Sequence, residues 1–122
     1  MDSKEIVSAR YGLGLSQIEM AVLIGVSDAA IKKWEQGRRK PSAAAVTLYR
    51  FLQKDGRDFD SLVTDVCQCR YEKLAQAKAV TRLIKKSNLT EDQKGYQQSL
   101  LFLTNPHFRP EDLGFRVIET KL

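Results

Sequence analysis

Between Leu15 and Ser42 the chain reads LSQIEMAVLIGVSDAAIKKWEQGRRKPS, and its punctuation leaves room for two short helices meeting at a glycine. Ser16 can accept from an orphan first-turn N–H, and Glu19 three residues later completes a capping box, so a helix is predicted from Gln17. Met20, Ala21 and Ile24 recur at helical spacing and are expected to face inward. Gly25 permits the positive backbone angle that ends this helix. Val26 closes the turn, and Ser27 caps a second helix over about 28–36. On it, Ile31 and Trp34 form the buried side. The opposite stripe, Asp28, Ala29, Lys32, Lys33 and Gln36, stays available to a ligand as one continuous face. Gly37 stops the helix, and Pro41 with Ser42 starts another running to about residue 54. An earlier helix over about 3–11 is joined to this pair by a loop that Gly12 and Gly14 shape.

The charge is concentrated in this half. Residues 1–54 hold nine Lys/Arg against five Asp/Glu, a surplus of four, whereas residues 55–122 are nearly balanced at eleven against ten. Lys32, Lys33, Arg38, Arg39 and Lys40 fall within nine residues. A basic run alone is equally a solvated face or a localisation signal. Beside an open helical stripe it points to an anionic partner, nucleic acid first.

The elements SQ, MA, GVS, WEQG and the following basic run with proline occur in the register of the helix-turn-helix domains of the phage-repressor and Cro type, the XRE-like domains. The segment from about Lys4 to Lys54 resembles them. Its WEQGRRKPS ending and the LYRFL that follows are especially similar to antitoxin autorepressors of the HigA and MqsA types. The resemblance implies a five-helix, lambda-repressor-like module whose second motif helix lies in the major groove of double-stranded DNA while the first abuts the backbone. It implies base-edge readout by Asp28, Ala29, Lys32 and Lys33. Phosphate contacts are implied for Arg10, Gln17, Ser27, Arg38, Arg39 and Lys40, with Glu35 pairing Arg10 and holding it toward a phosphate and Trp34 supporting the fold. Two positions depart from the pattern. Asp28 stands where a neutral amide or hydroxyl is usual, and its carboxylate either accepts from a base donor such as cytosine N4 or serves the helix dipole. Ala29 offers only apolar contact, to a thymine methyl for example.

Other classes find little support. One histidine, His107, cannot alone sustain the common acid–base arrangements, no phosphate-binding loop pattern occurs, and no catalytic residue is assigned, so the chain is not read as an enzyme. Cys67 and Cys69 are spaced awkwardly for a zinc half-site or a disulfide; no metal and no cofactor is expected. The N-terminus MDSKE lacks a secretory pattern, and the longest apolar run, Met20 to Val26, is too short to span a bilayer. Cytoplasmic residence and no membrane partner follow as expectations.

The second half shows no family resemblance. The turn signal at Asp55-Gly56-Arg57-Asp58 sets an expected boundary between a DNA-binding domain, 1–57, and a helical region, 58–122. From Phe59 through Leu62, Val63, Val66, Cys69, Leu74, Ala77, Val80, Leu83 and Ile84 an apolar stripe runs to about residue 86 on one long helix or two abutting ones. Thr90 and Gln93 form another capping box, for a helix to about residue 104. FRVIET, at 115–120, is expected to make a short terminal strand. The expected architecture is therefore mainly α. The stripe, with Phe59, Leu62 and Val66 foremost, is assigned to a homodimer interface, since one reading helix contacts too few base pairs for useful selectivity. The alternative is that both halves pack within one chain. Three functions compete: a dimeric autorepressor on palindromic half-sites, an antitoxin that binds a toxin protein through residues 58–122, and a regulator of a phage or mobile-element operon.

Overall fold

A computed structural model describes residues 1–54 and 56–114. Among them the chain is all helical, in the order α1 (Ser3–Gly12), α2 (Gln17–Ile24), α3 (Asp28–Glu35), α4 (Ala43–Lys54), α5 (Gly56–Val66), α6 (Leu74–Lys86) and α7 (Glu91–Thr104), followed by a 3-10 turn, Pro110–Leu113. The expected strand at FRVIET lies outside the described residues.

Local signals set the first half. The Ser16 hydroxyl accepts from the Glu19 N–H at 3.2 Å, and the Glu19 carboxylate accepts from the Ser16 N–H at 2.9 Å. At the other end of α2, Gly25 takes φ 77°. The Gly25 and Val26 N–H groups then reach back to the Val22 and Ala21 carbonyls, the paired bonds of a Schellman motif. Gly37, at φ 70°, closes α3 in the same way, with Arg38 N–H donating to the Lys33 carbonyl at 2.9 Å. Ser42 caps α4 through the Ala45 N–H. Ile31 and Trp34 are buried as expected, and Trp34 meets Tyr49 of α4 edge to face at 6.5 Å.

The structure departs from the expectation in two ways. Residues 1–57 contain four complete helices rather than five, because α5 begins only at Gly56 and runs to Val66. The long apolar stripe is divided between α5 and α6, the two-helix arrangement that the periodicity allowed. The chain turns between them without glycine or proline, because Asn105, fully buried beyond α7, accepts from Tyr71 N–H at 2.7 Å and donates to the Cys69 carbonyl at 3.0 Å. Burial at this turn pushes the Cys67 thiol up to about 12. Most consequentially, the stripe is covered by the chain itself. Phe59 and Val66 are buried in a core continuous from Ile6 to Leu101, and Leu62 packs half-buried against it.

The helix α2 sits at the centre of this core. It packs on α3, on α5 and most extensively on α6, so that Glu19, Met20, Ala21, Val22 and Leu23 are all buried in succession. A helix with one apolar face cannot bury five consecutive residues against one neighbour; it needs packing on several sides. Ile24, expected inward, is only half-buried because it lies at the open end of the turn.

Burying Glu19 requires a partner. Lys86 Nζ of α6 donates to both carboxylate oxygens, at 2.9 and 2.8 Å, and to the Gly14 carbonyl at 2.9 Å. Burial pushes the Glu19 carboxyl up, but the Lys86 hydrogen bonds and the Ser16 N–H and hydroxyl outweigh it and hold the group below its ordinary 4.5. A carboxyl depressed in the folded state lends stability that is present above its unfolded pKa and is lost as pH falls through the folded one. Glu19→Gln is accordingly expected to lower stability at neutral pH by about 1–3 kcal/mol, the Lys86 side chain being 39% exposed and able to rehydrate. The deficit should shrink as pH drops below 4.5, measured by denaturant melts of both proteins across pH 3–7; a constant deficit would remove the ionised pair from the account.

Candidate nucleic-acid interface

The expected reading stripe is exposed along α3. Ala29, Lys32, Lys33 and Gln36 are exposed and Asp28 is half-exposed, while Ile31 and Trp34 anchor the other side. Arg38, Arg39 and Lys40 continue the surface through the turn after Gly37, all exposed. Five cations thus lie on the outer side of α3 and its exit turn.

The stripe is not uniform. Asp28 Oδ2 lies 3.6 Å from Lys32 Nζ, one helical turn away. Asp28 therefore answers both the positive end of α3 and a cation on its own face. Lys33 has no ion-pair partner among the described residues, which makes it the unengaged cation of the stripe. This pair is written in the sequence at i, i+4 spacing.

Beneath the stripe, α3 is fixed to α1 by a fork. Arg10 Nε donates to Glu35 Oε2 at 2.7 Å and Nη2 to Oε1 at 2.8 Å, while Nη1 donates to the Leu15 carbonyl at 2.9 Å. Gln17 Nε2 joins at 3.2 Å from Glu35 Oε1. Burial raises the Glu35 carboxyl, but Arg10 and Gln17 overcome that and hold it below the ordinary carboxylate range. The Glu35 hydrogen bonds raise the Arg10 guanidinium in turn. The expected pair is present, but it draws Arg10 inward: the residue is only 7% exposed and is placed as a support rather than as an open phosphate ligand. Gln17, half-buried at the first turn of α2, is held on the same side as α3 by its bond to Glu35. Ser27 is exposed, its hydroxyl oxygen engaged by the Ala30 N–H at 3.1 Å.

Phe59 and Val66 are absent from the surface. What α4 and α5 do expose is Phe51, 50% accessible, beside Leu48, Leu62, Asp58 and Ser61 around a shallow cavity of about 160 Å³. Among the described residues no helix is long and apolar enough to cross a membrane.

Residues 8–49 match the family described as Helix-turn-helix. The Escherichia coli K12 protein named Uncharacterized HTH-type transcriptional regulator YiaG is 45% identical over 49 residues, 40% of this chain and 51% of that protein. The Vibrio cholerae serotype O1 protein named Antitoxin HigA-2 is 40% identical over 50 residues, 41% of this chain and 48% of that protein. The chain spans about half the length of the curated relatives it matches. No solved structure matches it. The family match ends at residue 49, within α4, so the rest of the chain lies outside it. Residues 8–49, with two glycine-stopped helices and the exposed cationic stripe of the second, are the part of the chain that matches the helix-turn-helix family.

Proposed function

We propose that this protein is a sequence-specific DNA-binding regulator of transcription, a repressor that binds palindromic half-sites in its own promoter region as a dimer. The observation that carries the reading is the exposed face of α3, with Lys33 unpaired at its centre and the Arg38 to Lys40 turn beside it, on a segment matched to the helix-turn-helix family. In this reading α3 enters the major groove. Lys33 and Lys32 meet base edges, Ala29 packs on a thymine methyl, and Asp28 tempers Lys32 and penalises bases without a donor. Gln17, Ser27, Arg38, Arg39 and Lys40 take phosphates, and Arg10 with Glu35 holds α3 and Gln17 in register. The dimer uses the exposed Phe51 with Leu48 and Leu62, since Phe59 and Val66 already serve the protomer core.

The test is selection of bound duplexes from a random pool, followed by affinity titration of the recovered site at several salt concentrations. Lys33→Ala is expected to cost about 1–3 kcal/mol on that site and to relax selectivity at one base pair. An equal loss on every sequence would move Lys33 to the phosphates. Arg38→Ala should weaken specific and non-specific binding together and reduce the log–log salt slope by about one unit; an unchanged slope would take it out of the phosphate contacts. For the dimer, sedimentation should show Phe51→Asp as a folded monomer with wild-type affinity for one half-site and weakened affinity for two. A wild-type monomer that binds both halves independently would exclude the interface.

The antitoxin reading is favoured by one observation, the relative named Antitoxin HigA-2. It requires that residues 58–122 bind a toxin protein, and co-expression with the product of a neighbouring reading frame distinguishes it: rescue of growth supports it, and no neighbouring growth inhibitor sinks it.

A further inference from the structure

The helix α6 has no acidic residue. Its thirteen residues, LAQAKAVTRLIKK, carry four cations. Lys78, Arg82 and Lys85, spaced i, i+4, i+7, share one exposed arc, opposite the buried Ala77, Val80 and Ile84. By the rise of a helix the row is about 10 Å long. An ordinary solvated helix face mixes signs and gains from i, i+4 pairs; this one has none. The helix dipole accounts for Lys85 and Lys86 in the last turn but not for Lys78 or Arg82, which lie nearer the middle. Among the described residues, neither Lys78 nor Lys85 has an ion-pair partner.

The location of the row adds the second observation. Arg82 Nε lies 3.7 Å from Glu19 Oε2, and Lys86 Nζ binds both Glu19 and the Gly14 carbonyl. Glu19 is the third residue of α2, two beyond Gln17, the residue through which α2 meets the DNA backbone in the function proposed above. The C-terminal turns of α6 are therefore clamped to the end of α2 that faces the duplex. The row lies in the half of the chain outside the family match, so the helix-turn-helix pattern says nothing of it.

We propose that the Lys78, Arg82 and Lys85 row of α6 is a second DNA-contacting surface, which takes backbone phosphates of the duplex outside the base pairs read by α3. It deepens the DNA-binding reading and rests on it. Being a row of point charges on flexible stems, it adds affinity and positioning without base preference. It would make the DNA footprint of this chain wider than the helix-turn-helix domain alone can cover.

The experiment compares the full chain with Lys78→Gln/Lys85→Gln on a fluorescein-labelled random-sequence duplex, by anisotropy over a series of salt concentrations. Arg82 is left in place because it also neighbours Glu19. Each lost phosphate contact removes about 0.9 from the log–log slope, so the double variant should lose nearly two units. Lys78→Arg/Lys85→Arg, which keeps both charges, should retain the wild-type slope, and Arg109→Gln, an exposed cation elsewhere, should change nothing. Melting curves that coincide for all four proteins place the effect on binding rather than folding. A Gln/Gln variant with the wild-type slope overturns the proposal, as does an Arg109→Gln loss of equal size, which would reduce the effect to net charge. A wild-type chain that binds no duplex even at low salt overturns the DNA-binding reading itself, and is thereby distinguished from failure of the α6 row.

Discussion

The presentation of α3 depends on the fork between Arg10 and Glu35. Two parallel N–H to oxygen bonds fix distance and plane together, which a single ammonium could not do. Arg10 also holds the Leu15 carbonyl at the entry to α2, and Gln17 shares the same carboxylate, so one charged cluster sets α1, α2 and α3 relative to each other. The remaining charged groups on α3 can then point outward, because the fold's own electrostatic requirement is met beneath them.

The enclosure of α2 is the complementary constraint. The outer side of α2 is covered by α6, and the Glu19 carboxylate that caps α2 also receives Lys86. One side chain thus ends a local motif and ties together segments 67 residues apart. The consequence for organisation is that the two halves share a core rather than meeting as separate domains.

What could be read from the residues was what short-range physics decides. Ser16 with Glu19, Gly25, Ser27, Gly37 and Thr90 with Gln93 each act within one turn of the chain, and the helix ends fall where those residues put them. The stripe from Phe59 to Ile84 was legible as a buried face, but periodicity names a face and not its occupant. A second subunit and the chain's own α2 are equally compatible with it. The choice between one helix and two was left open because the break between α5 and α6 is made by Asn105, more than thirty residues away. At the site, Lys33 and the Arg38 to Lys40 turn were legible as exposed cations. The inward turn of Arg10 was not, because pairing with Glu35 gives no indication of which way the guanidinium faces.

The lid that α6 forms over α2 also orders events during synthesis. A nascent chain that has exposed only α1 to α4 already carries the exposed α3 stripe but leaves the outer side of α2 wet and Glu19 without Lys86. Since domains fold as units when their parts emerge, α2 is enclosed and Glu19 paired only after residue 86 has cleared the ribosome.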